Sequence, residues 1–412
     1  MCPLKNNKNK HMKKAFSLFM FGLTSLVYAQ TSDYNTQTLN LFNEGKWERL
    51  TIIGEEAIVK NKSSYEIEYR LAVAYYNLKK YFDSSKHFEN ITTNYNITND
   101  YTQEYLYYSY LFSGRSQDAL LISKKFPFHL QQKINAKSFE FIDYFSAEGG
   151  IKLSSRRDID IKNMSYFNVG IGQKLGYKLM INHAFSTLSQ DYIDFDYNQK
   201  EYYINANLHL SKGLTLIPAY HYINISENSV SNNTRGNNSN NEVTITEEGK
   251  INIFHLALKK QWNRFTFMPN ITYSRQNDLA DDINTMQYGL DLGYTLNAFN
   301  DKLWLGLGTN VLNEDNENNT ILNAKAHYLI SPKAFLYLKY IDANTSHFSD
   351  DNAMFYTNAV SLFNNKISTT FGYYITSKFL WYANYQFENA EDIENGFSFT
   401  YNTFITGIKF DF

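Results

Sequence analysis

From about residue 139 the chain alternates apolar and polar residues with a period of two, and no other feature limits its fold as strongly. Met286, Tyr288, Leu290, Leu292, Tyr294 and Leu296 interleave with Gln287, Gly289, Asp291, Gly293 and Thr295. The same pattern sets Tyr202, Ile204, Ala206, Leu208 and Leu210 against Asn205, Asn207 and His209, and Leu322, Ala324, Ala326, Tyr328 and Ile330 against Asn323, Lys325 and His327. Successive side chains of a strand point to opposite faces, so each segment has one apolar face and one polar face. A soluble sandwich alternates too, and strand length and sidedness separate the two architectures. The segments run to about ten residues, the length at which a tilted strand crosses a bilayer. Tight connections at Ser211-Lys212-Gly213, Gln261-Trp262-Asn263, Ser331-Pro332-Lys333 and Thr376-Ser377-Lys378 alternate with long polar ones at 226–248, 276–283, 313–319 and 345–352. Short turns on one side and long loops on the other are the sidedness of a transmembrane barrel. Residues 139–412 therefore predict an antiparallel β-barrel of about 14 strands, with 12 or 16 as alternatives because Asn364-Asn365 is a candidate turn inside the segment 353–375.

Composition agrees with this reading. Aromatics make up 17% of the 412 residues (34 Tyr, 31 Phe and 4 Trp), which argues against disorder. Mean hydropathy is nonetheless -0.46. A barrel reconciles the two, since its outer wall takes the aromatics while lumen and loops supply the polarity. The formal net charge of -2 gives no electrostatic footing for a nucleic-acid partner. The single cysteine, Cys2, allows neither a disulfide framework nor a cysteine metal site.

The first 29 residues read as an export signal. Met12-Lys13-Lys14 is a basic start, Ala15 to Leu26 is apolar but too short to span a bilayer, and Val27-Tyr28-Ala29 places small residues for cleavage after Ala29. Met12 is the expected working start, with residues 1–11 an upstream extension. Cys2 lies on the wrong side of the apolar stretch for lipidation.

Residues 31–135 change to a helical period and repeat at about 34 residues, the tetratricopeptide length. Gly45-Lys46-Trp47, Lys79-Lys80-Tyr81 and Gly114-Arg115-Ser116 align as turns between helices. Trp47, Leu71, Ala72, Tyr75, Tyr81, Phe88, Tyr110 and Ala119 fall where paired helices interlock. These residues resemble three degenerate tetratricopeptide repeats, a small α-solenoid, with a generic helical bundle as the alternative. Stacked repeats without a catalytic cluster imply a peptide or protein partner.

Chemistry is sparse. The polar strand faces assign Asn205, Asn207, His209, His221, Asp291, Asn323, Lys325, His327, Lys339, Asn384, Gln386, Lys409 and Asp411 to the lumen. Both signs occur among amides, whereas an ion selector lines its pore with one sign. A path for a neutral chain such as a polysaccharide fits, as does mere filling of a narrow barrel. His209, His221, His255 and His327 have no nucleophile motif beside them, and no Gly-x-Ser-x-Gly elbow occurs, so no catalytic residue and no cofactor are expected. Glu314, Asp315 and Glu317 with Asp278, Asp281 and Asp282 lack the spacing of a calcium loop.

The C-terminal Thr406-Gly407-Ile408-Lys409-Phe410-Asp411-Phe412 resembles the β-signal of outer-membrane proteins, with Gly407, Phe410 and Phe412 in its pattern. That resemblance implies insertion by the barrel assembly machinery. Signal, repeats and barrel in this order resemble the YaiO-type barrel proteins, the surface lipoprotein assembly modulators and the longer exopolysaccharide-export porins. The Asn, Lys and Tyr-rich composition resembles a Bacteroidota protein. An even barrel that ends on the periplasmic side also starts there. The expectation is a non-enzymatic outer-membrane protein in contact with lipid, whose periplasmic repeats bind an envelope partner and whose barrel supports export or surface assembly of a polysaccharide or protein. The alternative is a closed barrel that only anchors a repeat scaffold.

Overall fold

The computed structural model describes residues 34–156, 161–192, 195–232, 242–277, 282–296, 302–314, 317–392 and 396–412. The export signal lies outside the described residues, as do Asp278, Asp281 and Asp315. The chain divides into a helical unit and a second unit that holds the barrel. No helix among the described residues is long and apolar enough to cross a membrane.

The helical unit runs through α1 (34–43), α2 (Trp47–Val59), α3 (Tyr65–Asn77), α4 (Tyr81–Asn94), α5 (Asp100–Phe112), α6 (Ser116–Ser123) and α7 (Phe128–Lys133). Three turns share one backbone geometry. Gly45, Lys79 and Gly114 stand at φ 66°, 61° and 77°, and the following amides of Lys46, Lys80 and Arg115 donate back to Leu41, Tyr75 and Tyr110 carbonyls. This closure satisfies the last carbonyls of α1, α3 and α5 and favours glycine at the left-handed position. Ser64 and Asn99 start α3 and α5 by accepting from the amides of Ile67 and Thr102. Leu50, Leu71, Ala72, Phe88, Ile91 and Tyr110 form the core, each at most 1% exposed. Gly54 lets α2 approach α3 closely, since a Cβ there would stand 3.1 Å from Leu71 Cδ1.

Of the residues assigned to the repeat core, Ala119 is also buried, while Trp47, Tyr75 and Tyr81 are half-buried. Phe82, one position after Tyr81, enters the core instead. Tyr81 packs on Tyr76 and Phe112 as part of an aromatic stripe.

The barrel is closed and antiparallel, with 14 strands each paired to its sequence neighbours and β1 paired to β14. The strands are β1 (Phe139–Ser154), β2 (Ile161–Leu175), β3 (Leu179–Tyr192), β4 (Phe195–Ser211), β5 (Leu214–Asn232), β6 (Glu242–Trp262) and β7 (Phe265–Asn277). They continue with β8 (Asp282–Leu296), β9 (Leu303–Glu314), β10 (Glu317–Ser331), β11 (Ala334–Asp350), β12 (Phe355–Tyr374), β13 (Phe379–Glu391) and β14 (Ser398–Asp411). Closure leaves no edge strand, as lipid requires. The outer wall is apolar: Phe254, Leu256, Phe267, Leu292, Leu307 and Phe404 are each at least 44% exposed. Near the end holding the tight turns, Trp262, Phe265, Trp381, Phe410 and Phe412 add exposed aromatics to it.

The expectations for the long loops are corrected. Much of 226–248, 276–283 and 313–319 is strand, because pairing runs on to Asn232↔Glu242, Asn277↔Asp282 and Glu314↔Glu317. Polar composition there marks strands extending beyond the hydrocarbon layer, where water on both faces removes the apolar half of the alternation. The expected single long strand holds at Asn364-Asn365, where β12 passes through with a register shift against β13 between Phe363 and Asn365. The segment 345–352, expected outside the barrel, lies inside it.

Candidate functional site

Strand β11 pairs with β12 in plain register up to Asp342, then shifts register twice, between Asp342 and Thr345 and between Thr345 and His347. Such bulges bend a strand pair. The distal hairpin, joined again from His347↔Asn358 to Asp350↔Phe355, folds into the lumen at the end opposite the start of β1 and the end of β14. Its tip holds Asp351, Asn352 and Ala353 at φ 48°, 57° and 61°. A left-handed conformation costs a residue with a Cβ about 1–2 kcal/mol, so surrounding contacts must hold the tip in place.

Those contacts come from strands β4 to β11. Tyr203 Oη donates to the Asn352 carbonyl at 3.0 Å, and His221 Nδ1 donates to the Ala353 carbonyl at 3.0 Å. Gln287 behaves as a neighbouring strand, donating from Nε2 to the Ser349 carbonyl at 2.9 Å and accepting the Ser349 amide at Oε1 at 3.0 Å. Lys339 binds Asp351 at 2.6 Å and also Asp350; Lys325 reaches Asp351 at 3.5 Å and Asp291 at 3.3 Å. Apolar packing adds to this. Ala353 sits among Ile223, Ile225, Ile251 and Ile253, and Phe348 among Leu312, Ile321, Ile341 and Phe363.

Beneath the tip lies a cavity of about 260 Å³ lined by Asn270, Asp291, Trp304, Asn310, Asn323 and Lys325 from the wall, with Ser349 to Ala353 as its roof. Asp291, Asn323, Lys325 and Lys339, all assigned to the lumen from alternation, thus meet at the hairpin or the cavity. Of the remaining assigned residues, His221 also meets the hairpin, at Ala353, and the others sit elsewhere. Asn205 bonds Tyr203 and Asn182, and His209 pairs across β4 and β5 with Thr215 at 3.1 Å. Asn207 is half-buried on β4, and His327 packs on Phe335. His255, which lines the cavity, bonds Thr272 at 2.8 Å across β6 and β7. Asn384 links to Ser368 and Thr370, and Gln386 donates to Asn384. Lys409 pairs with Asp411 at 2.7 Å. Glu314, considered above for calcium, bonds His347 of the hairpin at 2.9 Å.

Sequence alternation did not reveal the hairpin or its partners Tyr203, Gln287, Asp350 and Asp351. One signal was present: the inward faces of β5 and β6 carry Ile223, Ile225, Ile251 and Ile253 in place of polar residues, which makes no sense for a wall facing only water. Two further clusters were also unread. Glu148 accepts from Tyr166 at 2.7 Å and from Tyr382 at 2.6 Å, bridging the closure seam from both sides. In the helical unit, His87 bonds Glu68 at 2.8 Å and Glu55 at 3.2 Å while stacking on Tyr75. Burial works against the His87 cation, but the hydrogen bonds and charges of Glu55 and Glu68 outweigh it and raise its pKa. The hydrogen bond from His87 lowers that of Glu55, with burial opposing.

No protein-family model matches the chain, and no curated protein matches it by sequence. Solved structures with a similar barrel do exist. One is the P. putida toluene transporter TodX, at 8% identity over 65% of this chain and 90% of that one, with a TM-score of 0.44. The CymD monoaromatic hydrocarbon channel is similar at 7% identity over 66% and 89%, with a TM-score of 0.45. A Pseudomonas aeruginosa FadL homologue follows at 8% identity over 66% and 90%, with a TM-score of 0.40.

Proposed function

We propose that this protein is a non-enzymatic outer-membrane barrel whose lumen is gated by the β11–β12 hairpin and whose helical unit binds a periplasmic partner. The gate supports export or surface assembly of a polar cargo, a polysaccharide or a protein. The observation that carries this reading is the hairpin inside the lumen, held to the wall at its tip by Lys325 and Lys339. Ion pairs and hydrogen bonds have a definite geometry and exchange readily with water, so a tip held this way can be released as a unit.

The helical unit reads as three tetratricopeptide-like repeats in the periplasm. Helices α3 and α5 carry a stripe of Tyr69, Tyr76, Tyr105, Tyr108 and Phe112, with Tyr76 and Tyr105 centroids 4.9 Å apart and Tyr108 and Phe112 5.7 Å apart. The four tyrosines are half-buried and Phe112 is exposed, and partly accessible aromatics of this kind are enriched at protein interfaces. Gly407 and Phe410 on closing strand β14, with Phe412 just after it, serve the barrel assembly machinery. The order of domains supports a YaiO-type or assembly-modulator-like relationship in a Bacteroidota envelope.

A permanent plug is the second reading, favoured by the apolar packing of Phe348 and Ala353. Planar-bilayer conductance of the full chain beside an Asp350→Asn, Asp351→Asn variant decides between them. The gate reading expects a quiet wild type and openings in the variant. A silent variant that is folded and inserted leaves the anchor role standing.

A further inference from the structure

The wall beside the hairpin is hollowed by glycines. Gly289 and Gly293 on β8 and Gly306 and Gly308 on β9 all face the lumen, and each lies under a neighbouring side chain. A Cβ on Gly306 would meet Trp304 Cη2 at 2.5 Å, and one on Gly293 would meet Trp304 Cζ2 at 2.6 Å. One on Gly308 would strike Asn323 and Asp291, and one on Gly289 would strike Asn310 and Asn270. These four positions therefore let an indole and a set of amides lie flat against the barrel wall, leaving the cavity of about 260 Å³ in front of them.

Besides His255 Nε2, two buried polar atoms lining that cavity have no hydrogen-bond partner among the described residues: Asn323 Oδ1 and Ser349 Oγ, in residues 7% and 6% exposed. A buried acceptor or hydroxyl left unpaired costs about 1–3 kcal/mol, so both are poised for a ligand that hydrogen-bonds. The charges nearby already face one another, with Lys325 on Asp291 and Asp351 and Lys339 on Asp350 and Asp351. An ionic ligand would have to break these pairs, whereas a neutral one adds bonds without disturbing them.

Accepting the lumen as a passage for polar cargo, we infer that this cavity is a saccharide subsite. A sugar ring lays its C–H face on the Trp304 indole, and its hydroxyls bond Asn323, Ser349 and Asn310, which together offer donors and acceptors. Drug-sized ligands occupy about 300–1,000 Å³, so this volume suits a single sugar unit held within a longer chain.

The test titrates maltotriose, cellobiose and N,N′-diacetylchitobiose, all neutral, into the full chain in detergent micelles, followed by calorimetry and indole fluorescence. At least one is expected to bind, with affinity at least tenfold weaker in Trp304→Leu and in Asn323→Leu and unchanged in Gly149→Ala, whose site faces away from the lumen. Circular dichroism and heat-shifted gel mobility establish that each variant is folded. No binding by any of the three sugars overturns the inference, as does binding that both lumen variants leave intact or a preference for inorganic phosphate. Saccharide binding with a silent Asp350→Asn, Asp351→Asn channel would sink the gate while keeping the subsite; conductance without binding does the reverse.

Discussion

Lys339 Nζ donates to Asp351 Oδ2 at 2.6 Å, joining the barrel wall to the tip of the hairpin folded into the lumen. Lys339 is 7% exposed, so its ammonium depends on this partner and on Asp350. Removing one member of a fully buried pair costs about 3–5 kcal/mol because the other charge is stranded, and the cost is smaller here because the Asp351 side chain is 36% exposed. Lys339→Met is therefore expected to release the tip, seen as faster hydrogen exchange across 347–358 while the rest of the barrel keeps its protection. Unchanged exchange there would mean that apolar packing alone holds the hairpin.

Glu148 is the counterpart of this relationship at the closure seam, held by the phenols of Tyr166 and Tyr382. A hydrogen bond to a charged acceptor contributes about 1.5–3 kcal/mol. Glu148→Ala is expected to lower the urea midpoint of the folded barrel by the equivalent of about 3 kcal/mol, and Glu148→Gln by less, since an amide oxygen still accepts one phenol. Equal midpoints for wild type and Glu148→Ala would remove the seam role.

The helical unit has a pH dependence set by His87 and Glu55. Because the folded pKa of His87 lies above its ordinary 6.5, its contribution is complete below 6.5 and fades as pH rises through the raised value. Glu55 has a folded pKa below its ordinary 4.5, so its contribution is present above 4.5 and fades as pH falls through the lowered value. Thermal loss of the helical signal should thus occur at highest temperature between these limits. In His87→Gln the decline on the alkaline side should vanish; its persistence would assign the decline to other groups.

Lys79 occupies the left-handed turn position that Gly45 and Gly114 hold in the other two helix pairs. A Cβ in that conformation costs about 1–2 kcal/mol, and glycine's extra freedom in the unfolded chain offsets about half of it. Lys79→Gly is expected to raise the helical melting temperature slightly, and Gly114→Val to lower it by several degrees.

Strand number was legible because the lipid imposes it: each crossing needs its own alternating segment, and Leu305, Leu307 and Leu322 had to be apolar wherever the partner strands lay. The turn residues Gly45 and Gly114 were legible for a similar reason, since left-handed backbone is a local demand. Strand ends were not, because 226–232 and 242–248 pair in water, where hydrogen bonding to a neighbouring strand leaves no hydrophobic mark. Asn323 and Lys325 could be placed on the inward face but not at a site, because a strand states which face a residue takes and says nothing about what crosses the lumen to meet it.

The sequence by itself determined a helical unit followed by a closed wall of about fourteen strands, with twelve and sixteen left open, apolar outside and polar inside, since those features follow from local periodicity and the need to satisfy backbone groups in lipid. Tertiary structure alone decided that 345–354 turns inward. That choice rests on contacts between residues far apart in the chain, Tyr203 with Asn352, His221 with Ala353 and Gln287 with Ser349. A polar segment next to water is equally compatible with solvent and with a polar lumen, and only the partners waiting on the opposite wall favour the second.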